Sequence, residues 1–517
     1  MKAKKIMTAE EVAASIQDGQ TVTASGFVAS GIPEVILTAL ENRFLETGSP
    51  KNLTYFYPGS QGSWGGAGGD HFAHKGMTKR VIAAHYATSP ALGKCLLNNE
   101  FEGYNFPQGA MTNNFREIAA NKLGTITHVG LHTFVDPRVE GGKINEKTTE
   151  DLVELVNIGG REMLWFKTFP IDVAIIRGSY ADEKGNVTVH KEVGPGEVTA
   201  MAQAAKNSGG KVYVQVEKIV KAGTLDAKAV KIPGIYVDAL VVCPEQEQSV
   251  GCGFDASLTG EITVPVDSAS NPIPLDAKKI IGRRATMELK EDVVVNLGVG
   301  TPEYVSLVAN EEGIGDYFTL TVEAGPVGGV PVGGMRFGAS RNADAILCHH
   351  EQFDFYDGGG LDFAFLGLAE SDKDGSVNVS RFGPRLAGCG GFMHITQSAN
   401  EVFFLGTFTA GGLKTSIKDG KLVIDNEGRE KKFIDSVEQI TFNGKYNAEK
   451  GKKVKYITER AVFELRKDGV YLVEIAPGID LQTQILDLMD FAPKMDGTPK
   501  LMDAKIFREE LMGLKKD

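Results

Sequence analysis

The chain has 517 residues, of which 42% are hydrophobic and 24% charged, and its formal net charge is −12. That length supports several domains and a large buried core. The acidic balance offers no basic face for nucleic acid, and no run of about 18 apolar residues provides a membrane-spanning helix. Five scattered cysteines, with no CxxC pair among them, argue against a disulfide framework or a zinc ribbon and suit reduced thiols. Lys2, Lys4 and Lys5 stand near the start without an apolar stretch behind them, so no signal peptide is expected. The expected location is the cytoplasm.

In chain order, TAEEVAASIQ (8–17) opens with a capping pattern, Thr8 as N-cap and Glu11 three residues on. A turn at Asp18-Gly19 leads to a strand, TVTASGF, and a small-residue loop leads on to the helix EVILTALENRFLETG, which ends at Gly48. NLTYFYPG (52–59) is the next strand. Strand and helix alternating in this way predict a parallel sheet with crossover helices.

The second half begins alike. KEDVVVNLGVGTPEYVSLVA (290–309) places Pro302-Glu303 where the first half has Pro33-Glu34, an offset of 269. IDVAIIRGSYADEKGNVTVH (171–190) aligns without a gap to LDFAFLGLAESDKDGSVNVS (361–380), pairing Asp172 with Asp362, Asp182 with Asp372 and Gly185 with Gly375 at an offset of 190. KVYVQVEKIVKAG (211–223) matches EVFFLGTFTAGGL (401–413) at that same offset. The pattern predicts two homologous α/β domains in tandem, 1–242 and 279–517, joined by an irregular connection, 243–278. The falling offset gives the first domain about 79 extra residues, expected between 58 and 150. Near the end, YITERAVFELRKDGVYLVEIA reads as a hairpin turning at Asp468-Gly469, and Asp480 caps a helix, LQTQILDLMDF.

The stretch YFTLTVEAGPVGG (317–329) is a β-branched apolar run that stops at Glu323 and enters a glycine-rich turn. A carboxylate there stands at the carboxyl end of a parallel strand, where open α/β sheets place ligands, although from the stretch alone a solvated surface Glu is the better reading. NLGVGTPE (296–303) is neither a dinucleotide fingerprint, since Glu303 replaces the third glycine, nor a P-loop. It can cradle a phosphate or acyl group, or be a structural turn. HFAH (71–74) and His349-His350 lack the partners of a metal site, so no metal is expected. Cys389 in GCGG has no neighbouring base and reads as a packing residue. Gln108, in FPQGAMTNNF, opens a helix.

Taken together, SGFVASGIPE, FPQGAMTNNF, NLGVGTPEY, TLTVEAGPVGG, YDGGGLDFAFLGLAE, GCGGF and ITFNG resemble the family I coenzyme A transferases, in order and over essentially the whole chain. The likeness is greatest to the propionate and acetate CoA-transferases. The family has two α/β domains in tandem, as the duplication predicts. The resemblance implies that Glu323 is a covalent nucleophile. Its carboxylate attacks the thioester carbonyl, giving an acyl-glutamyl anhydride and CoA thiolate. The thiolate then attacks the glutamyl carbonyl, releasing the first acid and leaving a glutamyl-CoA thioester. An acceptor acid runs the sequence backwards.

The resemblance further implies that Gln108 holds the catalytic carboxylate. It points to Gly298, Val299 and Gly300, and to Gly388, for oxyanion or CoA contacts. The implied substrates are an acyl-CoA and a short-chain carboxylate of the acetate, propionate, butyrate or lactate class. CoA is a substrate and no cofactor is needed; no nucleic acid or membrane partner is expected, and the assembly is a homodimer or homotetramer. The alternatives are an acyl-CoA thioesterase using the same Glu and a ligand-sensing α/β module that does not need it.

Overall fold

The capping box predicted at the first helix is closed on both sides in the computed structural model, which describes residues 3–265 and 273–515. Thr8 Oγ1 accepts from the Glu11 amide at 3.2 Å and Glu11 Oε2 accepts from the Thr8 amide at 2.9 Å, starting α1 (Ala9–Ser15). The next helix, α2 (Glu34–Thr47), ends where expected, with Gly48 in the left-handed region at φ +69° and its amide bonded to Phe44 O.

Contacts divide the chain into two compact units that are not collinear with the sequence. The first comprises Met1–Val264, Val322–Asp354 and Phe382–His394; the second comprises Pro265–Thr321, Phe355–Arg381 and Ile395–Asp517. The sequence reading divided the chain at 1–242, 243–278 and 279–517. Two features account for the difference. As far as Val264 the connection packs on the first unit, with Ser249 bonded to Ser30 at 2.7 Å and Leu258 fully buried. Asn342, in the inserted segment, bonds to Ser257 O and to Val264, and so ties the stretch carrying Glu323 to the same unit. Residues 266–272 of the connection lie outside the described residues.

The first unit holds an all-parallel sheet of β1 (Lys5–Ile6), β2 (Thr21–Ala24), β3 (Leu53–Tyr57), β4 (Thr78–Ala83), β5 (Glu102–Asn105), β6 (Val173–Arg177), β7 (Lys211–Val216) and β8 (Ala239–Val242). Its spatial order is β1-β8-β7-β6-β2-β3-β4-β5. Strands β4 and β5 fall within the extra residues of this half and extend the sheet beyond β3. The second unit has β9 (Val293–Leu297), β10 (Phe318–Thr321), β11 (Phe363–Gly367), β12 (Glu401–Leu405), β13 (Lys453–Ile457), β14 (Ala461–Arg466), β15 (Gly469–Ile475) and β16 (Lys500–Leu501). They run β10-β9-β11-β12-β13-β14-β15-β16, and the predicted hairpin is the antiparallel β14-β15 pair.

The duplication reaches individual hydrogen bonds. β3-β2-β6-β7-β8 and β10-β9-β11-β12-β13 are the same run of five parallel strands. Asp172 accepts from the Thr21 amide at 2.8 Å, and Asp362 accepts from the Val294 amide at 2.9 Å. Asp182 Oδ1 takes the amides of Lys184 and Asn186, as Asp372 Oδ1 takes those of Asp374 and Ser376. A short acceptor at that position closes the turn without a neighbouring strand, so the same residue type serves both copies. The terminal helix is shorter than the sequence suggests. Asp480 caps it through the Thr483 amide, but it stops at Gln484 because Ile485 turns out of helical geometry as its side chain becomes fully buried.

Candidate active site

In the first unit the strand order reverses at β2: the chain proceeds from β2 to β3, β4 and β5 on one side, and β6 to β8 lie on the other. Loops leaving adjacent strands in opposite directions open a crevice at their carboxyl ends, the usual place for a ligand in such sheets. A cavity of about 50 Å³ lies there, walled by Ser25, Gly26 and Phe27 after β2, by Arg177 at the end of β6, and by Val189 and 192–198. Ser30, Gly31, Ala324, Gly338 and His349 complete it.

Ala324 follows Glu323, and both sit on a tight turn just past the carboxyl end of β10. The Val322 amide donates to Pro326 O at 2.9 Å and the Gly325 amide to Val322 O at 3.0 Å. Gly325 has φ +127°, and a side chain there would collide with the Leu347 carbonyl, so the turn after the carboxylate requires glycine. Glu323 is partly buried at the tip. The surface-turn reading therefore gives way to a carboxylate on a rigid turn beside a cavity.

Gln108 is the first residue of α3 (Gln108–Ala119) and is 2% exposed. Its amide donates to Gly390 O at 3.0 Å, and its side-chain Nε2 lies 2.7 Å from His349 Nε2. On the other side of the ring, His349 Nδ1 lies 2.8 Å from Glu197 Oε2, just before α4 (Val198–Asn207). A carboxylate only accepts, so Nδ1 carries the proton, and Nε2 is then an acceptor for the Gln108 amide. Glu197, His349 and Gln108 form one buried relay. Sequence reading left His349 as a surface or satisfied core histidine and saw no link to Gln108. The partners lie 152 and 241 residues away from it, and no local pattern carries that information.

Gly388 has φ +87°, and a Cβ on it would stand 2.6 Å from Ala84 O. The next two amides of this loop are engaged: Cys389 N–H donates to Asn105 Oδ1 at 2.9 Å and Gly390 N–H to Ala84 O at 2.8 Å. Cys389 is buried, and burial pushes its thiol well above the ordinary range, which suits a packing residue and not a nucleophile. Gly298, Val299 and Gly300 belong to the second unit, in the loop between β9 and α5 (Glu303–Glu311). The Gly298 amide donates to Phe365 O and the Gly300 amide to Glu303 Oε1, while the Val299 side chain is exposed. The structure thus brings Glu323, Gln108 and Gly388 into one unit and describes the GVG loop with the other.

The cavity also holds a charged pair that the sequence did not single out. Arg177 and Glu192 are each 6% exposed, with Arg177 Nη2 3.3 Å from Glu192 Oε2. That is ion-pair range, yet neither Glu192 oxygen accepts a well-aligned hydrogen bond, and Arg177 Nε is likewise unmatched. Burial pushes the Glu192 carboxyl up against the opposing pull of Arg177.

Elsewhere, His71 bonds Glu34 and Glu41 at 2.6 Å each and His74 bonds Glu41 at 2.6 Å, so the HFAH histidines are satisfied by carboxylates. Cys348, His350 and Glu351 bring three donor atoms within 4.8 Å of one another. Burial pushes the Cys348 thiol up to about 11. Among the described residues, no helix is long and apolar enough to cross a membrane.

Two α/β units on largely parallel sheets, with a carboxylate on a glycine turn beside a switch-point cavity, make an α/β protein with a ligand crevice, and comparison with known proteins names its kind. Residues 6–243 match the family model for coenzyme A transferase. The chain is 45% identical to caffeate CoA-transferase of Acetobacterium woodii over 99% of its own length and 98% of that protein. It is 43% identical to acetate CoA-transferase YdiF of Escherichia coli K12, covering 98% and 96%. It also superposes with a TM-score of 0.94 on the crystal structure of the acyl-CoA transferase YdiF of E. coli O157:H7 in its thioester complex with CoA, at 41% identity and over 99% and 98% of the two chains. The chain belongs to the coenzyme A transferase family and is a CoA-transferase.

Proposed function

We propose that the enzyme moves CoA between a short-chain acyl-CoA and a short-chain carboxylic acid, with Glu323 as the covalent carrier. The observation that carries this is the position of Glu323 on a rigid turn whose next residue walls the switch-point cavity. The relatives' names and the solved thioester complex of a 41% identical transferase support it.

In this reading the Glu323 carboxylate attacks the thioester carbonyl and the C–S bond breaks, yielding an anhydride and CoA thiolate. The thiolate attacks the glutamyl carbonyl and expels the first acid as its carboxylate, leaving a thioester on Glu323. The acceptor carboxylate attacks that carbonyl, CoA thiolate departs, and the thiolate returns to the new acyl carbonyl to free Glu323. Partial burial strips hydration from an otherwise weak nucleophile. Gln108, held by His349, fixes the carboxylate by a hydrogen bond from its amide. Each addition builds an oxyanion, and one fixed donor to it is worth about 3 kcal/mol. Because the Cys389 and Gly390 amides are already engaged, that donor lies elsewhere on the glycine loops.

The cavity volume favours a small acyl group. The cavity has a third of the volume of an engineered cavity of about 150 Å³ that binds benzene, which favours an acetate-type acceptor over the aryl acid named for the Acetobacterium relative. The test is borohydride with acyl-CoA. A thioester on Glu323 is reduced to the alcohol, losing one oxygen and gaining two hydrogens in the peptide that contains residue 323, and activity is abolished. Glu323→Gln loses transfer by about a thousandfold or more with the fold retained. Label on a different residue, or wild-type rates in the variant, refutes the assignment. CoA release without any acceptor acid would favour the thioesterase.

A further inference from the structure

His85 follows β4 at the carboxyl edge of the first sheet and takes no part in the chemistry above. It stands against Gly388 and Gln108. A Cβ on Gly388 would lie 2.9 Å from His85 Cα, and one on Gly390 would lie 3.8 Å from His85 Cδ2 and 3.6 Å from Gln108 Oε1. The edge of the imidazole and the Gln108 amide therefore border one small space that a glycine leaves open, in the same unit as Glu323.

One side of the ring is tied down. His85 Nδ1 lies 2.9 Å from Ser60 Oγ, which lies 2.7 Å from Thr88 Oγ1. Ser60 and Thr88 are both buried, and among the described residues the Thr88 hydroxyl has Ser60 as its one partner. Buried hydroxyl hydrogens need acceptors. A single arrangement gives both of them one: Thr88 donates to Ser60, and Ser60 donates to His85 Nδ1. Nδ1 is then the bare nitrogen and the proton sits on Nε2. Nε2 has no partner among the described residues, and His85 is itself partly exposed. Burial, with the charge of Arg385 added to it, holds the imidazole down at about 4, so the ring is neutral near pH 7.

A fixed, neutral N–H beside the residue that orients a nucleophilic carboxylate suits the oxygen that turns negative when that carboxylate adds. An imidazolium would instead pair with Glu323 or with the substrate acid and stabilise the ground state. We infer that His85 is a further catalytic residue, whose Nε2–H donates to the acyl oxygen as Glu323 adds to the thioester, alongside the peptide donor of the glycine loops. The C–O bond forms, the carbonyl electron pair moves onto that oxygen, and its return expels CoA thiolate. The histidine keeps its proton throughout. The same oxygen ends in the carboxylate of the released acid, so His85 serves the incoming acid in the return half too. This rests on the reading of Glu323 as carrier, and trapping at Glu323 reports that chemistry whatever His85 does.

The experiment compares His85→Phe, which keeps a flat ring without an N–H, with His85→Gln, whose amide N–H stands near the place of the imidazole Nε2. With acetyl-CoA and propanoate, His85→Phe loses about 100- to 1000-fold in kcat while KM for acetyl-CoA changes little, the pattern of one donor lost from the transition state alone. His85→Gln regains about tenfold or more of that loss, which a packing residue would not allow. Nitrogen-15 spectra of histidine-labelled protein, with His85 assigned by its disappearance in His85→Gln, show a neutral ring protonated on Nε2 at about pH 7. Those spectra decide the matter if His85→Phe fails to fold, together with Ser60→Ala, which frees the ring to change tautomer and lowers kcat about tenfold. Equal losses in the Phe and Gln variants, full activity in His85→Phe, or a proton on Nδ1 overturns the inference. Borohydride label at Glu323 in the wild type, with His85→Phe fully active, sinks the role of His85 and leaves the carrier standing. Absence of label at Glu323 in the wild type refutes the carrier, and this inference with it.

Discussion

Glu197→Gln tests the relay behind Gln108. Glu197 accepts from His349 Nδ1 at 2.8 Å, and the two side chains are each only 3% exposed, so the bond is charge-assisted and hardly screened. Glutamine has the same shape, but its amide nitrogen can face the ring as a donor. The ring then carries its proton on Nε2, and that nitrogen, 2.7 Å from Gln108, becomes a donor. The Gln108 amide has to turn over so that its oxygen accepts. The oxygen then takes the place of Nε2, so the second N–H of that nitrogen, which in the proposed mechanism holds the Glu323 carboxylate, is replaced by an acceptor. A hydrogen bond to a charged group is worth about 1.5–3 kcal/mol, which converts to roughly a 10- to 150-fold loss in kcat. Steady-state kinetics with acetyl-CoA and a saturating acid, alongside urea unfolding, reads the two effects separately. The expected result is the stated loss of kcat with a native unfolding midpoint lowered by no more than about 3 kcal/mol equivalent. An unchanged kcat in folded Glu197→Gln refutes the relay, and with it the orienting role of Gln108.

Two further outcomes follow from local geometry. Gly194 lines the cavity, has no positive φ, and a Cβ on it would make only ordinary contacts, the nearest at 3.6 Å from Ala324 O; Gly194→Ala should fold normally while lowering kcat/KM for four-carbon acids more than for acetate. A uniform loss across chain lengths would place the acyl group elsewhere. For His71, burial opposes its charge but the bonds from Glu34 and Glu41 outweigh it, so its pKa is raised. Its stabilising contribution is therefore complete below the ordinary histidine value of about 6.5 and is lost as pH rises through the raised value. The stability gap between wild type and His71→Asn in urea should thus be wider at pH 6 than at pH 9, and a gap independent of pH would contradict this.

What the sequence revealed, it revealed through local rules. Thr8 with Glu11, Gly48, and the Asp182 and Asp372 turns are each decided by residues a few positions apart, and a strand that stops at a carboxylate before Ala-Gly-Pro marks its own turn. The tandem duplication was legible because paired turns and strands retain the same residue types at a constant offset. The relay and the ion pair were not. Gln108 and His349 meet only because α6 (His349–Phe355) begins beside Gly196, with the His349 amide on Gly196 O. Arg177 reads as the end of a buried strand, and Glu192 as an ordinary loop acid. Their importance comes from being buried together, which depends on the packing of three separate loops. The same holds for the boundaries: hydrogen bonds from Asn342 assign Val322–Asp354 to the first unit, and composition carries no trace of them.

The duplicated bonds allow the two copies of the switch point to be compared residue by residue. Ser25 N–H donates to Ile175 O at the end of β2, and Gly298 N–H donates to Phe365 O at the end of β9. Thus Ser25, Gly26 and Phe27 stand where the second copy has Gly298, Val299 and Gly300, and Arg177 stands where it has Gly367. The first copy lines its crevice with a hydroxyl, an aromatic ring and a buried guanidinium. The second has glycine at all three of these places. Nothing lies within 4 Å of a Cβ placed on Gly367, and its φ does not demand glycine, so neither packing nor backbone strain explains the residue there. What glycine supplies at such a position is uncovered backbone and room, which a bulky polar ligand needs and a two- to four-carbon chain does not. A transferase must bind one substrate of each kind. On the function proposed above, the small polar-walled cavity of one copy suits the acyl chain and the bare peptide of the other suits CoA.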